Sequence, residues 1–418
     1  MIKRITLISS LILLLLTLSC FTPNKDKKDL SIKEKKNIVV GANQTENYIN
    51  LLKGKNIAVV ANNTSVIFKN DTARYTHLVD SLLSLGIHIT KVFAPEHGFR
   101  GTADAGEDLT DTIDSKTGLQ IISLYGENKN PTKKQIYNYR KPTPEQLNNI
   151  DAIVFDIQDV GVRFYTYIST LHNVMEACAE NNIPLIVLDR PNPNGHYVDG
   201  PVLEENTKSY AGLGPIPIVY GMTIGEYALM TNGEKWLNNG IQCNLKVIRL
   251  KNYTHKSTYS LPLRPSPNLP NDKSINLYPS LCLFEGTNVS CGRGTEMQFQ
   301  IFGSPYLPSN IYNFSFVPKP NFGSKNPKHE NEKCYGLDLS EADNLQSINF
   351  SWLIDAYRST TMKTDFFRDK AFNKLAGNIL LKQQIEQGLS MEEIRASWQK
   401  DLTKFNKTRA KYLIYPEN

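Results

Sequence analysis

The chain has 418 residues, 40% of them hydrophobic and 21% charged, which is enough to bury a substantial core in two domains and excludes wholesale disorder. Residues 1–37 hold eight Lys or Arg against three Asp or Glu, so they account for +5 of the formal +6. The remaining body is close to neutral at +1, which argues against a nucleic-acid footprint.

Lys3 and Arg4 precede an apolar run from Ile5 to Leu18, followed by Ser19 and Cys20. This is a targeting segment, too short for a membrane span. A small residue before Cys20 matches a bacterial lipoprotein signal, residues 1–19, cleaved so that Cys20 carries the lipid. Thr17 stands where Leu is usual. An ordinary secretory signal or an uncleaved anchor is the alternative. Residues 20–37 are polar and Lys-rich, which fits a tether between a membrane and an exported, periplasm-facing body. Five cysteines remain, Cys178, Cys243, Cys282, Cys291 and Cys334, at spacings that make neither a disulfide framework nor a zinc site. A Cys282–Cys291 pair is conceivable in an oxidising compartment.

Asn56 to Ala61 is a short apolar, β-branched run ending in Asn62, Asn63 and Thr64, which predicts a buried parallel strand entering a polar loop. Leu78, Leu82, Leu83 and Leu85 predict a helix stopped by Gly86. Further strands are expected at Ile87 to Phe93, Leu119 to Leu124, Ala152 to Phe155, Ile183 to Leu188 and Asn244 to Leu250. Between them, Ile168, Leu171, Met175 and Cys178 share a helical face, and Thr223 with Glu226 forms a capping box. Strands alternating with helices imply an α/β fold, a Rossmann-like and mostly parallel sheet covered on both faces. After the Pro-rich link Arg264 to Pro270 the character changes, which divides the body into a catalytic domain, 38–262, and a smaller α+β domain, 263–418. Ser390 and Glu393 cap a last helix carrying Ile394, Trp398, Leu402 and Phe405. Tyr412 to Tyr415 is expected to be a final strand.

In such sheets the ligand lies beyond the carboxyl ends of the strands. Four polar clusters sit there: Asn62 with Asn63, Glu96 to Arg100, Asp156 to Arg163, and Asp189 to Asn192. The first loop lacks the glycines that admit a pyrophosphate, and no phosphate-cradling loop, paired-His zinc helix or nucleophile elbow is present. Neither a cofactor nor a metal is expected. Glu96, between Pro95 and Gly98, is placed to be a partly desolvated general acid, or else to pair with Arg100. Glu107 and Asp156 are the other catalytic candidates, and Asp159 is a further acid, of which one could only orient Arg163. Arg100, Arg163, Arg190 and Arg293 offer forks for an anionic group, unless they are spent on internal ion pairs. Tyr165 and Tyr167 would share one side of an extended chain and suit a sugar face, with core packing as the default.

Pro95 to Gly101, Phe155 to Tyr167, Asp189 to Pro193 and Phe284 to Asn288, in that order, together resemble the exo-β-N-acetylmuramidases of the NamZ type, as does the helical end through Tyr415. The resemblance covers nearly all of the chain after the tether. It implies a glycosidase that releases N-acetylmuramic acid from the non-reducing end of peptidoglycan fragments, such as muropeptides or the MurNAc-GlcNAc disaccharide. On that footing Glu96 is the acid, and its partner is taken by position from Glu107, Asp156 and Asp159, with Glu107 and Asp156 placed in the catalytic set. Asn62, His97, Arg100, Gln158, Asp159, Arg163, Tyr165, Tyr167, Arg190, Asn192, Glu285 and Arg293 are the substrate-contacting set. A lipid-anchored muropeptide-binding protein and a metal-dependent carbohydrate deacylase are the alternatives.

Overall fold

The computed structural model describes residues 37–69, 71–101, 107, 110–126 and 140–418; the leader, Cys20 and the tether lie outside them. The six strands expected in the first part all form: β1 (Ile57–Ala61), β4 (Ile89–Ala94), β6 (Gln120–Ser123), β7 (Ala152–Asp156), β8 (Leu185–Leu188) and β9 (Leu245–Ile248). A hairpin of β2 (Val66–Lys69) and β3 (Asp71–His77) intervenes after β1, and the two-residue β5 (Thr112–Ile113) adds an antiparallel edge. The sheet order is β5-β6-β4-β1-β7-β8-β9, with every pair but the first parallel. The chain runs outward from β1 through β4 to β6, then restarts at β7 on the other side of β1. The switch point therefore lies between β1 and β7, whose carboxyl ends are Ala61 and Asp156.

Strand alternation divides the core in two. Ala58, Val60, Ile153, Phe155, Leu185 and Val187 face one apolar cluster, while Val59, Ala61, Val154, Ile186 and Leu188 face the other. Helix α1 (Ile49–Leu52) and helix α2 (Leu78–Ser84) pack on the second side through Leu52, Leu78 and Leu82. Helix α3 (Tyr167–Glu180) covers the first side with Ile168, Leu171, Met175 and Cys178, and α4 (Ile224–Gly233) lies beside it. The capping box of α4 is present, with Glu226 accepting from the Thr223 amide at 2.9 Å.

Beyond the Pro-rich link, α5 (Asp272–Leu281) leads through one 3₁₀ segment, Cys282–Gly286, to a small antiparallel sheet. Its strands β10 (Ile301–Ser304), β11 (Phe314–Phe316) and β12 (Cys334–Asp338) are ordered β10-β12-β11. Helices α6 (Ser351–Ser359), α7 (Asp369–Ala376), α8 (Leu380–Glu386) and α9 (Met391–Arg409) complete the chain. Ile394, Trp398, Leu402 and Phe405 of α9 enter the same apolar cluster as α3, so the smaller part shares the core of the larger. Tyr412 to Tyr415 does not form the expected strand. The second carboxylate oxygen of Glu226 already takes the amides of Ile414 and Tyr415, at 2.8 and 3.3 Å, so those backbone groups need no sheet partner. All five cysteines among the described residues are buried free thiols, Cys282 and Cys291 included.

Four buried titratable groups pull the pH dependence of stability in opposite directions. Burial pushes Asp159 and Asp189 up to about 6, against hydrogen bonds from Tyr220 to the first and from Tyr415 and Thr223 to the second. Burial pushes His77 and His172 down to about 4. A raised carboxyl keeps a proton that the unfolded chain has shed, so its contribution is complete below about 4 and lost as the pH rises through about 6. A depressed histidine contributes fully above about 6.5 and loses that as the pH falls through about 4. Asp159→Asn removes one carboxyl of the first kind. Urea titrations are expected to show the variant gaining stability relative to the parent as the pH rises from about 4 to about 6.5. A stability difference that stays constant, or moves in the parent's favour, over that interval contradicts the assignment.

Candidate active site

The switch point itself is laced shut. Thr64 donates from its hydroxyl to Asn62 Oδ1 at 2.6 Å and accepts the Gln158 amide at 3.0 Å, tying the loop after β1 to the loop after β7. Ser65 donates to the Asp156 carbonyl. Beneath these bonds Arg190 grips Asp156 with a fork, Nε to Oδ1 at 2.6 Å and a terminal nitrogen to Oδ2 at 2.9 Å, and reaches the Val66 carbonyl as well. Burial raises the Asp156 carboxyl while Arg190 pulls it back, and the Asp156 charge in turn raises Arg190 against its own burial.

The open cavity, about 180 Å³, lies to one side of this seal, beyond the ends of β4, β6 and β7. Glu96, His97 and Tyr125 come from the first two strand ends, Phe164 to Tyr167 from the start of α3, and Asn268, Tyr278, Cys282, Glu285, Arg293 and Phe299 from the smaller part. Larger hollows of about 440 and 540 Å³ open elsewhere. The small cavity is singled out by chemistry, because among these hollows it alone joins carboxylates, an arginine and a wall of aromatic rings.

Each side chain is held there for a local reason. After β4 the chain turns at Pro95, closed by the Gly98 amide on the Pro95 carbonyl at 3.0 Å, with His97 at φ 68°. That left-handed geometry is costly for a residue with a Cβ, and Phe299, across the cavity, is also left-handed at φ 54°. The turn is anchored by Phe99, whose ring meets His77 edge-on at 4.8 Å, while His77 caps α2 through the Val79 amide. Thr166 donates its hydroxyl to Glu96 Oε2 at 2.6 Å, so the residue before α3 orients the carboxylate. Tyr165 and Tyr167 both donate to the Pro265 carbonyl, at 2.7 and 3.2 Å, which pins the Pro-rich link to the start of α3. The chain is not extended there. Tyr167 is already helical, and the two rings meet edge-on with centroids 4.8 Å apart. Tyr278 continues the wall, 5.3 Å from Phe164 and 4.8 Å from Phe299. Burial, with the Glu96 charge adding to it, keeps the Tyr125 phenol well above its usual range, so it is a neutral O–H donor beside that carboxylate.

Opposite Glu96's elements, Glu285 Oε1 accepts from Arg293 Nε at 3.1 Å and from the Cys291 thiol at 2.7 Å. Burial alone would raise the Glu285 carboxyl, but the charges of Arg293 and Lys328 and the bond from Cys291 outweigh it and hold it below the ordinary range. Gly292 and Gly294, at φ 83° and 78°, bracket Arg293 and let the loop turn its side chain inward. Among the described residues no group of three or more His, Cys, Asp and Glu is arranged to hold a metal.

Of the fifteen residues nominated from sequence, Glu96, His97, Tyr165, Tyr167, Glu285 and Arg293 line the cavity. The structure puts the others to different use. Glu107 pairs with Lys325 at 2.9 Å, away from the lining. Asp156 and Arg190 neutralise each other in the core, 0% and 2% exposed in their side chains, and neither is free for substrate. Asn62, Gln158 and Asn192 are buried and bonded to Thr64, to the Asp159 and Pro191 carbonyls, and to the Met222 carbonyl respectively. Asp159 accepts from Tyr220 and the Gly161 amide. Arg100 turns outward onto Asp114 at 2.8 Å. Arg163 spends its terminal nitrogens on four carbonyls, Pro201, Ile216, Leu375 and Ala376, the last two ending α7. A guanidinium fits there because helix-end carbonyls lack internal partners and attract cations. Tyr125, Thr166, Tyr278 and Phe299 escape a reading of the sequence because a lone aromatic or Thr carries no signal until its neighbours are known.

The division among the arginines is measurable. Arg190→Met leaves Asp156 buried without its counter-charge and is expected to cost roughly 3–5 kcal/mol of stability. Arg100→Met, at a part-exposed pair, is expected to cost about 1 kcal/mol or less. Equal effects in denaturant titration would contradict the sealed-core account.

Comparison with known proteins agrees on both parts. The model of the N-terminal part of exo-β-N-acetylmuramidase NamZ matches residues 57–273, and that of its C-terminal part matches residues 276–415. The chain is 38% identical to the peptidoglycan β-N-acetylmuramidase NamZ of Bacillus subtilis (strain 168) over 96% of each. Two crystal structures of DUF1343 family proteins from Bacteroides fragilis NCTC 9343 share the fold. The one at 1.30 Å is 45% identical with a TM-score of 0.81, covering 92% of this chain and 100% of its own. The one at 1.65 Å is 29% identical with a TM-score of 0.75, covering 90% and 99%.

Proposed function

The chain belongs to the exo-β-N-acetylmuramidase NamZ family and is a glycosidase, and from that premise we propose that it removes N-acetylmuramic acid from the non-reducing end of peptidoglycan fragments with Glu96 as the proton donor. The observation that supports this role is the position of Glu96. It is the carboxylate that projects from a strand-end turn into an aromatic-walled cavity, with one oxygen held by the Thr166 hydroxyl and the neutral Tyr125 phenol beside it.

Glycoside cleavage needs a proton delivered to the departing oxygen and negative charge facing the cation that develops at the anomeric carbon. Glu96 supplies the first. Glu285, the other carboxylate lining the cavity among the described residues, is held ionised by Arg293 and Lys328 and suits the second. Tyr165 and Tyr278 offer ring surface for the apolar face of a pyranose to pack against, and Tyr167, 1% exposed, supports Tyr165 edge-on. A cavity of only about 180 Å³ lined by these rings suits a chain end better than the middle of a polymer, which accords with exo action. The leader ending at Cys20 supports an exported protein held on a membrane by lipid and facing the periplasm.

The test is hydrolysis of a chromogenic β-N-acetylmuraminide by the parent and by Glu96→Gln. The parent is expected to release the chromophore, and the variant to lose about 10²- to 10⁴-fold in kcat with its thermal midpoint preserved. No release by the parent, or undiminished release by the variant, overturns the proposal.

A further inference from the structure

The cavity carries an unbalanced charge on the side away from Glu96. Three ionisable side chains of the smaller part meet there: Glu285, Arg293 and Lys328. Lys328 is consumed, because its ammonium donates to the carbonyls of Phe284, Thr287 and Val289 at 2.9, 2.7 and 2.9 Å, and it braces the loop that carries Glu285. Glu285 is one negative charge facing two positive ones, with the Arg368 charge also bearing on Lys328. The cluster therefore carries a net positive charge in a partly buried place, and an arriving anion neutralises it.

Arg293 is the member able to receive that anion. Its hydrogen bond to Glu285 runs through Nε, and its two terminal nitrogens make no hydrogen bond among the described residues. Its guanidinium lies 5.2 Å from the centre of the Phe299 ring, which together with the Glu285 bond fixes the plane of the fork. The other three arginines of the polar clusters are spent on Asp114, on four backbone carbonyls, and on Asp156. Arg140 stacks between the Tyr125 and Tyr210 rings at 3.9 and 4.2 Å and is not among the residues lining the cavity.

Muramic acid differs from glucosamine by a lactyl ether on the ring, and that group bears the sugar's carboxylate. We propose that the fork of Arg293, oriented by Glu285 and Phe299, receives this carboxylate and is the residue by which the site selects a muramyl over a glucosaminyl unit. The inference rests on the substrate class proposed above. Lys328 braces the loop and Glu285 orients the fork, and neither contacts the lactyl carboxylate.

Calorimetric titration of the full chain carrying Glu96→Gln separates the two ideas, because it requires no turnover. The ligands are N-acetylmuramic acid and the same sugar with its lactyl carboxyl converted to the amide. The free acid is expected to bind at least about tenfold more tightly than the amide, as a charge-assisted bidentate contact does. Adding Arg293→Met is expected to bring the ratio near one, with an unchanged thermal midpoint reporting an intact fold. Arg293→Lys keeps a charge beside Glu285 but lacks the fork, and is expected to lower the ratio several-fold. A parental preference for the acid in either variant, or no such preference in the parent, overturns the role of Arg293. Preference for the acid that depends on Arg293, in a protein whose unsubstituted form hydrolyses no muraminide, would sink the proposed reaction and leave this inference standing.

Discussion

The ion pair between Asp156 and Arg190 is the constraint on which the site depends. Two charges are buried at the switch point of the sheet, where related architectures leave a crevice for a nucleotide. Their fork-to-carboxylate geometry, the Val66 carbonyl and the Ser65 bond satisfy the polar atoms that burial would otherwise strand. The pair therefore closes the position where a ligand would ordinarily sit. The open cavity lies instead to one side, at the ends of β4, β6 and β7, where the smaller part supplies the facing wall.

That displacement explains why the working residues sit on irregular backbone. Glu96 stands on a turn whose next residue, His97, is left-handed, and the facing wall carries a left-handed Phe299. Conformations of this kind persist only where the surroundings over-determine them. Here the surroundings are explicit: Phe99 against His77 behind the turn, Thr166 on the carboxylate, and Lys328 on three carbonyls of the opposite loop. Two carboxylates on one cavity then receive different settings. Glu285 is held ionised by cations, and Glu96 is held by a neutral hydroxyl beside a neutral phenol. The fold thus gives the two carboxylates of one cavity different surroundings, as the proposed division into acid and counter-charge requires.

The strands are legible in the sequence because alternation and β-branched runs are local, and all six fall where the pattern puts them. The polar clusters at their ends are legible for the same reason. Which members face the ligand is not. Arg163 binds carbonyls 212 and 213 positions away, and Asp156 meets Arg190 only after β7 and β8 pair, so no spacing announces either outcome. The hairpin β2–β3 is hidden because Asn70-Asp71 lacks the glycine of the strongest hairpin turns, and Tyr412 to Tyr415 reads as a strand because its true partner is a side chain, Glu226. The long motifs that carry the family resemblance include both kinds of residue. Arg190 and Gln158 sit in them to hold the fold, Glu96 and Tyr165 to line the cavity.

A crystal structure of the Glu96→Gln variant with the MurNAc-GlcNAc disaccharide bears most directly on the account. The terminal sugar is predicted to lie against Tyr165 and Tyr167, with the glycosidic oxygen about 3 Å from the side-chain amide introduced at position 96 and the lactyl carboxylate on the Arg293 fork. A disaccharide seated in another hollow, or lying in this cavity with the bond to be cut turned away from position 96, would contradict it.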